Sequence, residues 1–472
     1  MTQIHDLTAL EQAAAIRARE LSPVEILDHY LERIDRLGPQ VGAFFTIAAD
    51  LAREQARKAE RTVAEAAEPG DLPPLLGVPV PVKDLNMAAG IRLTFGSTVF
   101  IDNVADTDDH VVASLRAAGA VIPGKTATPE FGLPCYTETD VGPPARTPWD
   151  LSRSAGGSSG GAGAAVAAGL APVAQGSDGG GSIRIPSSVC GLFGIKPSRG
   201  RVSQAPLVPD LAGLSIDGPL ARTVADAALL LDVITGNEPG DMYTQPPPGE
   251  SFLGYARRDP GRLRIGRVIE PVVPGAEVHP DCRAAWEDAS ALLADLGHEV
   301  EDMPAPLGAD AVPLFETLWY GMATLMPVDT AQEGELLPLT RYLRERGRAT
   351  SAAELIFAQA FLQIMVRGAL PLLNAYDAVL TPTLAQPPVP VGYFHQQEPA
   401  ENFERQKRFT PFTAAYNVSG QPAVNLPLHW NADGLPIGVM LGGRVGDEGT
   451  LISLSAQIQA ARPWQDRHPA LW

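Results

Sequence analysis

Apolar and polar positions along this chain alternate between two periods. Near the start, Leu10, Ala14, Ala18 and Leu21 recur at helical spacing. Ser22-Pro23 followed by Glu25 then reads as the N-cap and first turn of a second helix. A third helix is expected over residues 50–67, ending near Pro69-Gly70. The pattern changes at Leu75 to Val82, where β-branched residues are mixed with proline, as in a short or edge strand feeding Lys83-Asp84. His110 to Ala118, closed by Gly119, predicts a helix, and Ala120-Val121-Ile122 a strand. Further strands are expected at 263–268, 377–380 and 439–441, and helices at 282–296 and 448–461. Such alternation points to an α/β fold around a mixed sheet.

Pro- and Gly-rich stretches at 237–261 and 384–397 are read as long loops, and residues 301–350 break their periodicity repeatedly. Loops of that length shape a substrate entrance or decorate the surface. No internal repeat is apparent. The 472 residues are read as one domain: a helical part (1–70), a core (71–235), a variable region (236–350) and a C-terminal part (351–472).

The charge balance narrows the partners. Thirty-six Lys and Arg against 55 Asp and Glu give a formal charge of −19, a field that repels phosphate backbones and argues against sequence-independent nucleic-acid binding. Cys135, Cys190 and Cys282 are too few and too scattered for a disulfide framework or a zinc site, and suit three small buried side chains in a reducing compartment. Residues Met1 to Leu7 carry no basic and apolar segments of a secretory signal. The longest apolar stretch is taken as Gly161 to Ala174, too short for a hydrocarbon layer of about 30 Å. A cytoplasmic protein without a membrane partner, monomer or homodimer, is the expectation.

Candidate chemistry concentrates in two glycine clusters. Gly156-Gly157-Ser158-Ser159-Gly160-Gly161 is followed by an Ala/Gly-rich run and then by Gln175-Gly176-Ser177-Asp178-Gly179-Gly180-Gly181-Ser182-Ile183-Arg184-Ile185-Pro186. Glycine runs let consecutive N–H groups point at one spot, so Gly179, Gly180 and Gly181 suit an oxyanion hole beside a Ser182 nucleophile. A flexible linker would share the glycines; the apolar run between the clusters, and Asp178, Arg184 and Pro186 around the second, set this segment apart from one. Serine needs a base, and the eight histidines are scattered, none inside a Gly/Ser motif. A lysine serves if burial lowers its pKa, and Lys83, after an apolar run, is a candidate; a solvated or salt-bridged surface lysine is the alternative.

Residues 156–187 resemble the amidase signature through the Gly-Gly-Ser-Ser-Gly-Gly cluster, Val166-Ala167, Asp178, Ser182, Arg184 and Pro186. Residues 77–84, 190–197, 217–231, 376–382 and 417–427 extend the similarity, which is weakest between 237 and 350. The resemblance implies a mixed central sheet flanked by helices on both sides. It implies a catalytic set of Ser182 (nucleophile), Ser158 (relay, preceded by a cis peptide bond) and Lys83 (base). It further implies supporting roles for Asp178, Arg184 and Ser159, substrate contact at Gly132, and no metal or organic cofactor. The expected activity is hydrolysis of a small-molecule amide, hydrophobic or aryl, with esters and carbamates also open. Ser177 and Gly179 stand where many members carry larger residues, which would widen the pocket near the oxyanion hole.

Three other readings compete. Gly156 to Gly160 also fits the nucleophile elbow of α/β-hydrolase esterases, with Ser158 as nucleophile, but 148–153 is too polar for the buried strand that should precede it. The A subunit of a tRNA-dependent amidotransferase shares the signature as a glutaminase. A non-catalytic binding protein would have no reason to keep Lys83, Ser158 and Ser182 together. Residues 315–326, with Phe315, Trp319 and Tyr320, either line an acyl or aryl pocket or belong to the core.

Overall fold

The computed structural model describes residues 3–209 and 211–472, so Met1 and Thr2 of the N-terminal reading lie outside the described residues. The strands, in chain order, are β1 (Phe44–Ile47), β2 (Val82–Lys83), β3 (Gly124–Thr126), β4 (Val173–Asp178), β5 (Phe193–Lys196), β6 (Ile216–Ala221), β7 (Arg264–Arg267), β8 (Glu299–Asp302), β9 (Ala378–Pro382), β10 (Ala423–Trp430) and β11 (Pro436–Gly442). Eight of them form a mixed sheet in the order β4-β6-β5-β10-β11-β9-β7-β8, and the other three a small sheet in the order β1-β3-β2. The large sheet is antiparallel from β4 to β9 and parallel across β9, β7 and β8.

Side-chain alternation places helices on both faces. Val424 and Leu426 of β10 join a core built with helices Val224–Ile234, Pro280–Asp295 and Glu448–Ala461. Asn425, between them, points the other way and donates to the Leu192 carbonyl (2.8 Å), on the side where helix Arg184–Cys190 packs. The β5 residues behave likewise: Phe193 and Ile195 face the first core, while Gly194 has only the room that Ser187 of helix Arg184–Cys190 leaves it.

Several expectations shift. Leu75 to Val82 is mostly irregular, and only Val82 enters a strand; Pro79 and Pro81 lack the N–H groups a ladder needs. The strand placed at 120–122 lies instead at β3, leaving a single Pro79–Val121 bridge. The broken region 301–350 contains helices Ala311–Ala323 and Pro338–Ala349, and the loop at 237–261 contains the short helix Phe252–Tyr255.

A second apolar segment was not singled out from the sequence. Helix Ala352–Leu373, started by a Ser351/Glu354 capping box, is long and apolar enough by length and composition to cross a membrane. It packs on the protein through Ala358, Leu362, Val366, Ala369 and Leu373, and leaves Ile356, Phe357 and Ile364 largely exposed. Glu354, Gln359, Gln363 and Arg367 interrupt the run and conceal it in the sequence. The three cysteines are buried and unpaired.

Candidate active site

Two short elements bring the Lys83 and serine segments together. β2 lies parallel to β3 with Lys83 opposite Thr126, and Gln175 of β4 donates its N–H to the Pro81 carbonyl (3.1 Å) while its side chain accepts from the Lys83 N–H (2.8 Å). Lys83 is thereby held at the end of a strand with no solvent contact. Helix Gly160–Ala167 presses against the same corner, and a Cβ at Gly161 would sit 2.2 Å from the Ala127 nitrogen, so only glycine fits. Ser158 precedes this helix, and the Gly157–Ser158 peptide bond is cis.

Lys83 Nζ lies 2.7 Å from Ser158 Oγ, 3.0 Å from Ser177 Oγ and 3.3 Å from the Ser177 carbonyl. Burial lowers the Lys83 pKa to about 7, against the opposing pull of Asp217 and Asp178. Ser159 ties the two serine segments: its N–H donates to the Ser182 carbonyl (3.1 Å), and its Oγ donates to the Ser177 carbonyl (3.1 Å) and accepts from the Ser177 N–H (3.2 Å). Ser158 is 2 % exposed and Ser182 6 %, so both hydroxyls are nearly dry. Among the described residues no histidine hydrogen-bonds either serine, which removes the base that an elbow triad on Ser158 would require.

The loop Gly179 to Ser182 links β4 to helix Arg184–Cys190 and is fixed from below by one carboxylate. Asp178 accepts from Gly181 N–H (2.7 Å), Ile183 N–H (3.1 Å), Arg184 Nε (2.9 Å) and Nη2 (2.8 Å), and Asn417 Nδ2 (2.9 Å). Burial works to raise the Asp178 pKa, but the Arg184 guanidinium overcomes it and holds the carboxyl well below the usual range. Arg184 also donates to Asn417 Oδ1 (2.7 Å) and the Thr413 carbonyl (2.8 Å).

The Gly181 N–H, one of the expected oxyanion donors, donates to Asp178 Oδ1 in this structure. The N–H groups of Gly179, Gly180 and Ser182 have no protein acceptor among the described residues. Gly132, in a left-handed turn (φ +69°), comes so near Ser158 that a Cβ there would lie 3.5 Å from its Oγ.

Sequence reasoning missed Asn417, Gln175, Asn86 and Asp217. Gln175 Nε2 donates to Asp217 Oδ1 (2.6 Å) and Asn86 Oδ1 (3.0 Å), so a buried polar cluster backs Lys83. Burial and the neighbouring Asp109 push Asp217 up to about 7. Asn417 opens one of the segments of resemblance, but nothing local pairs it with Asp178, 239 positions away.

Over Ser182 opens a cleft lined mainly by apolar side chains including Leu133, Ile185, Phe315, Trp319 and Phe403. The Trp319 ring lies against Gly179 and Gly180, and Phe315 stacks on Trp319 with centroids 5.4 Å apart. Of the aromatic residues expected either to line a pocket or to fill the core, Phe315 and Trp319 do the first, while Tyr320 is buried against Phe403.

The amidase family model matches residues 25–452. The chain is 40% identical to the putative amidase AmiB2 of Mycobacterium tuberculosis over 98% of both chains. It is 34% identical to an acylamidase of Rhodococcus erythropolis over 99% of this chain and 98% of that one. The solved structure of 6-aminohexanoate cyclic dimer hydrolase superposes over 100% of both chains with a TM-score of 0.91 at 32% identity.

Proposed function

The chain belongs to the amidase family and hydrolyses amide C–N bonds, and on that premise we propose that Ser182 is the nucleophile, Ser158 the proton relay and Lys83 the base. The observation that carries this reading is the buried 2.7 Å contact between Lys83 Nζ and Ser158 Oγ, on a segment tied directly to Ser182. A lysine with a pKa near 7 is neutral often enough to accept a proton at physiological pH.

The reaction then proceeds in two halves. Ser158 passes its proton to neutral Lys83 and takes one from Ser182, whose Oγ attacks the amide carbonyl carbon. The N–H groups of Gly179, Gly180 and Ser182 hold the oxyanion, each such donor being worth about 3 kcal/mol. The proton then returns through Ser158 to the leaving nitrogen, the C–N bond breaks, and an ester on Ser182 remains. Water, deprotonated by the same relay, releases the acid. Asp178, Arg184 and Asn417 keep the loop in place, Ser159 locks the two serine segments, and Gly132 leaves space for substrate beside Ser158.

The apolar cavity favours hydrophobic or aryl amides over small polar ones, with esters and carbamates of the same shape accepted by the same acyl-enzyme route. The substrate is a small molecule, and the net charge of −19 argues against a nucleic-acid partner. The test is hydrolysis of an anilide, an aliphatic amide, an aryl ester and an aryl carbamate by the wild type and Ser182→Ala, with acyl-enzyme trapping by mass spectrometry. Loss of both turnover and trapping in the variant is expected; retention of both overturns the assignment.

A further inference from the structure

Beyond the cleft at Ser182 lies a second, narrow apolar one. The two share four lining residues, Val272, Leu307, Pro411 and Ala415, none of them polar. Past this common wall the second cavity is bounded by Val268, Val366, Ala369, Leu373 and Val379, the apolar faces of β7, helix Ala352–Leu373 and β9 and their margins. Its polar lining consists of the buried Thr381 and Gln421, the half-buried Ser419 and the exposed Glu270, which marks its open side.

We propose that the second cavity is the distal half of the substrate site, and that the enzyme is built for elongated apolar amides whose long substituent passes Val272 and Ala415. The proposal rests on Ser182 being the nucleophile and adds to it the class of molecule attacked. Three features support it. An open apolar space forfeits dispersion contacts along its lining, and an apolar ligand restores them. A charged or strongly polar substituent at the common wall would be desolvated without a partner, whereas an alkyl or aryl one would not. The rim around Glu270 gives the far end of such a molecule a wet exit. The distal walls at Val268, Val366, Ala369, Leu373 and Val379 lie on elements other than those that carry Lys83, Ser158 and Ser182.

The experiment compares two series on one enzyme preparation: acetyl, hexanoyl and dodecanoyl anilides, and acetamides of propylamine, hexylamine and dodecylamine. In at least one series kcat/KM rises with length, approaching about fourfold for each methylene that enters the apolar walls. Ala305→Trp, at an exposed position that lines only the second cavity, then narrows it. The ratio of kcat/KM for the longest to the shortest substrate falls by about tenfold or more, the equivalent of two methylenes kept out. Because each ratio is taken on a single preparation, a change in the folded fraction cancels. Flat profiles in both series, or a rising profile that Ala305→Trp leaves untouched, overturn the proposal. Acetanilide turnover that survives Ser182→Ala would instead strike the nucleophile assignment, so the two failures are distinguishable.

Discussion

The buried lysine makes the sharpest prediction. An ordinary lysine titrates at 10.5, and burial brings Lys83 to about 7. At pH 7 about half of the molecules then carry a neutral Lys83, against about one in three thousand for an ordinary lysine, a difference of about 5 kcal/mol in favour of the base form. For a neutral anilide, kcat/KM reports ionisations of the free enzyme. It should rise with unit slope from low pH and level off above an apparent pKa near 7. Replacing Lys83 by methionine keeps the length of the side chain in its dry site and removes the proton acceptor. That variant should lose at least about a thousandfold in kcat/KM, within the range for a base that also serves as acid, and should lose the acid limb with it. The assay is initial-rate hydrolysis across about pH 5 to 9.5 at constant ionic strength, with folding of the variant checked by thermal melting. A wild-type profile that is flat through neutrality, or an acid limb that persists unchanged in Lys83→Met, would refute the reasoning.

Two further outcomes are expected. Asp217→Asn removes a carboxylate whose attraction raises the Lys83 pKa, so the acid limb of kcat/KM should move to lower pH, read from the same profiles; a move to higher pH contradicts the electrostatics. Asp178→Asn leaves the fully buried Arg184 without its carboxylate and should cost about 3–5 kcal/mol in urea unfolding, with a loss of kcat as the glycine loop is released; a cost below about 1 kcal/mol would show that the ion pair does not hold the loop.

How much of this was legible in the sequence depended on distance along the chain. Ser158 and Ser182 stood out because glycine clusters are a local signal, and helix Pro23–Val41 because Ser22-Pro23 is one too. Lys83 was visible only as a lysine after an apolar run, and needed the resemblance to be paired with the serines. The prolines that marked its segment as extended also prevented a regular strand there, which periodicity alone does not resolve. Helices Ala311–Ala323 and Ala352–Leu373 were obscured for opposite reasons. The first carries Pro313 in its opening turn, and the second is apolar on faces that do not all meet the core. Asn417, Thr413 and Asp217 reach the site from remote segments, and no local pattern distinguishes a ligating asparagine from a surface one.

The same contacts explain how a lysine stays near neutrality with two carboxylates close by. If Asp178 and Asp217 both presented full charge to Lys83, their attraction would offset the desolvation that lowers its pKa. Asp178 is answered by Arg184 in a two-point ion pair, so its field at Lys83 is partly cancelled. Asp217 is itself pushed up to about 7 by burial and by Asp109, so near neutrality it is ionised only part of the time. Asp217 therefore moves the position of the acid limb, while the limb itself reports Lys83. Lys196, also fully buried and brought to about 7 by burial with Arg184 adding to it, shows that desolvation in this core is strong enough to hold a second lysine near neutrality. Of the two, only Lys83 has a hydroxyl in reach among the described residues, as the proposed relay requires: Lys196 Nζ donates to the Pro197 carbonyl, an acceptor with no proton to give.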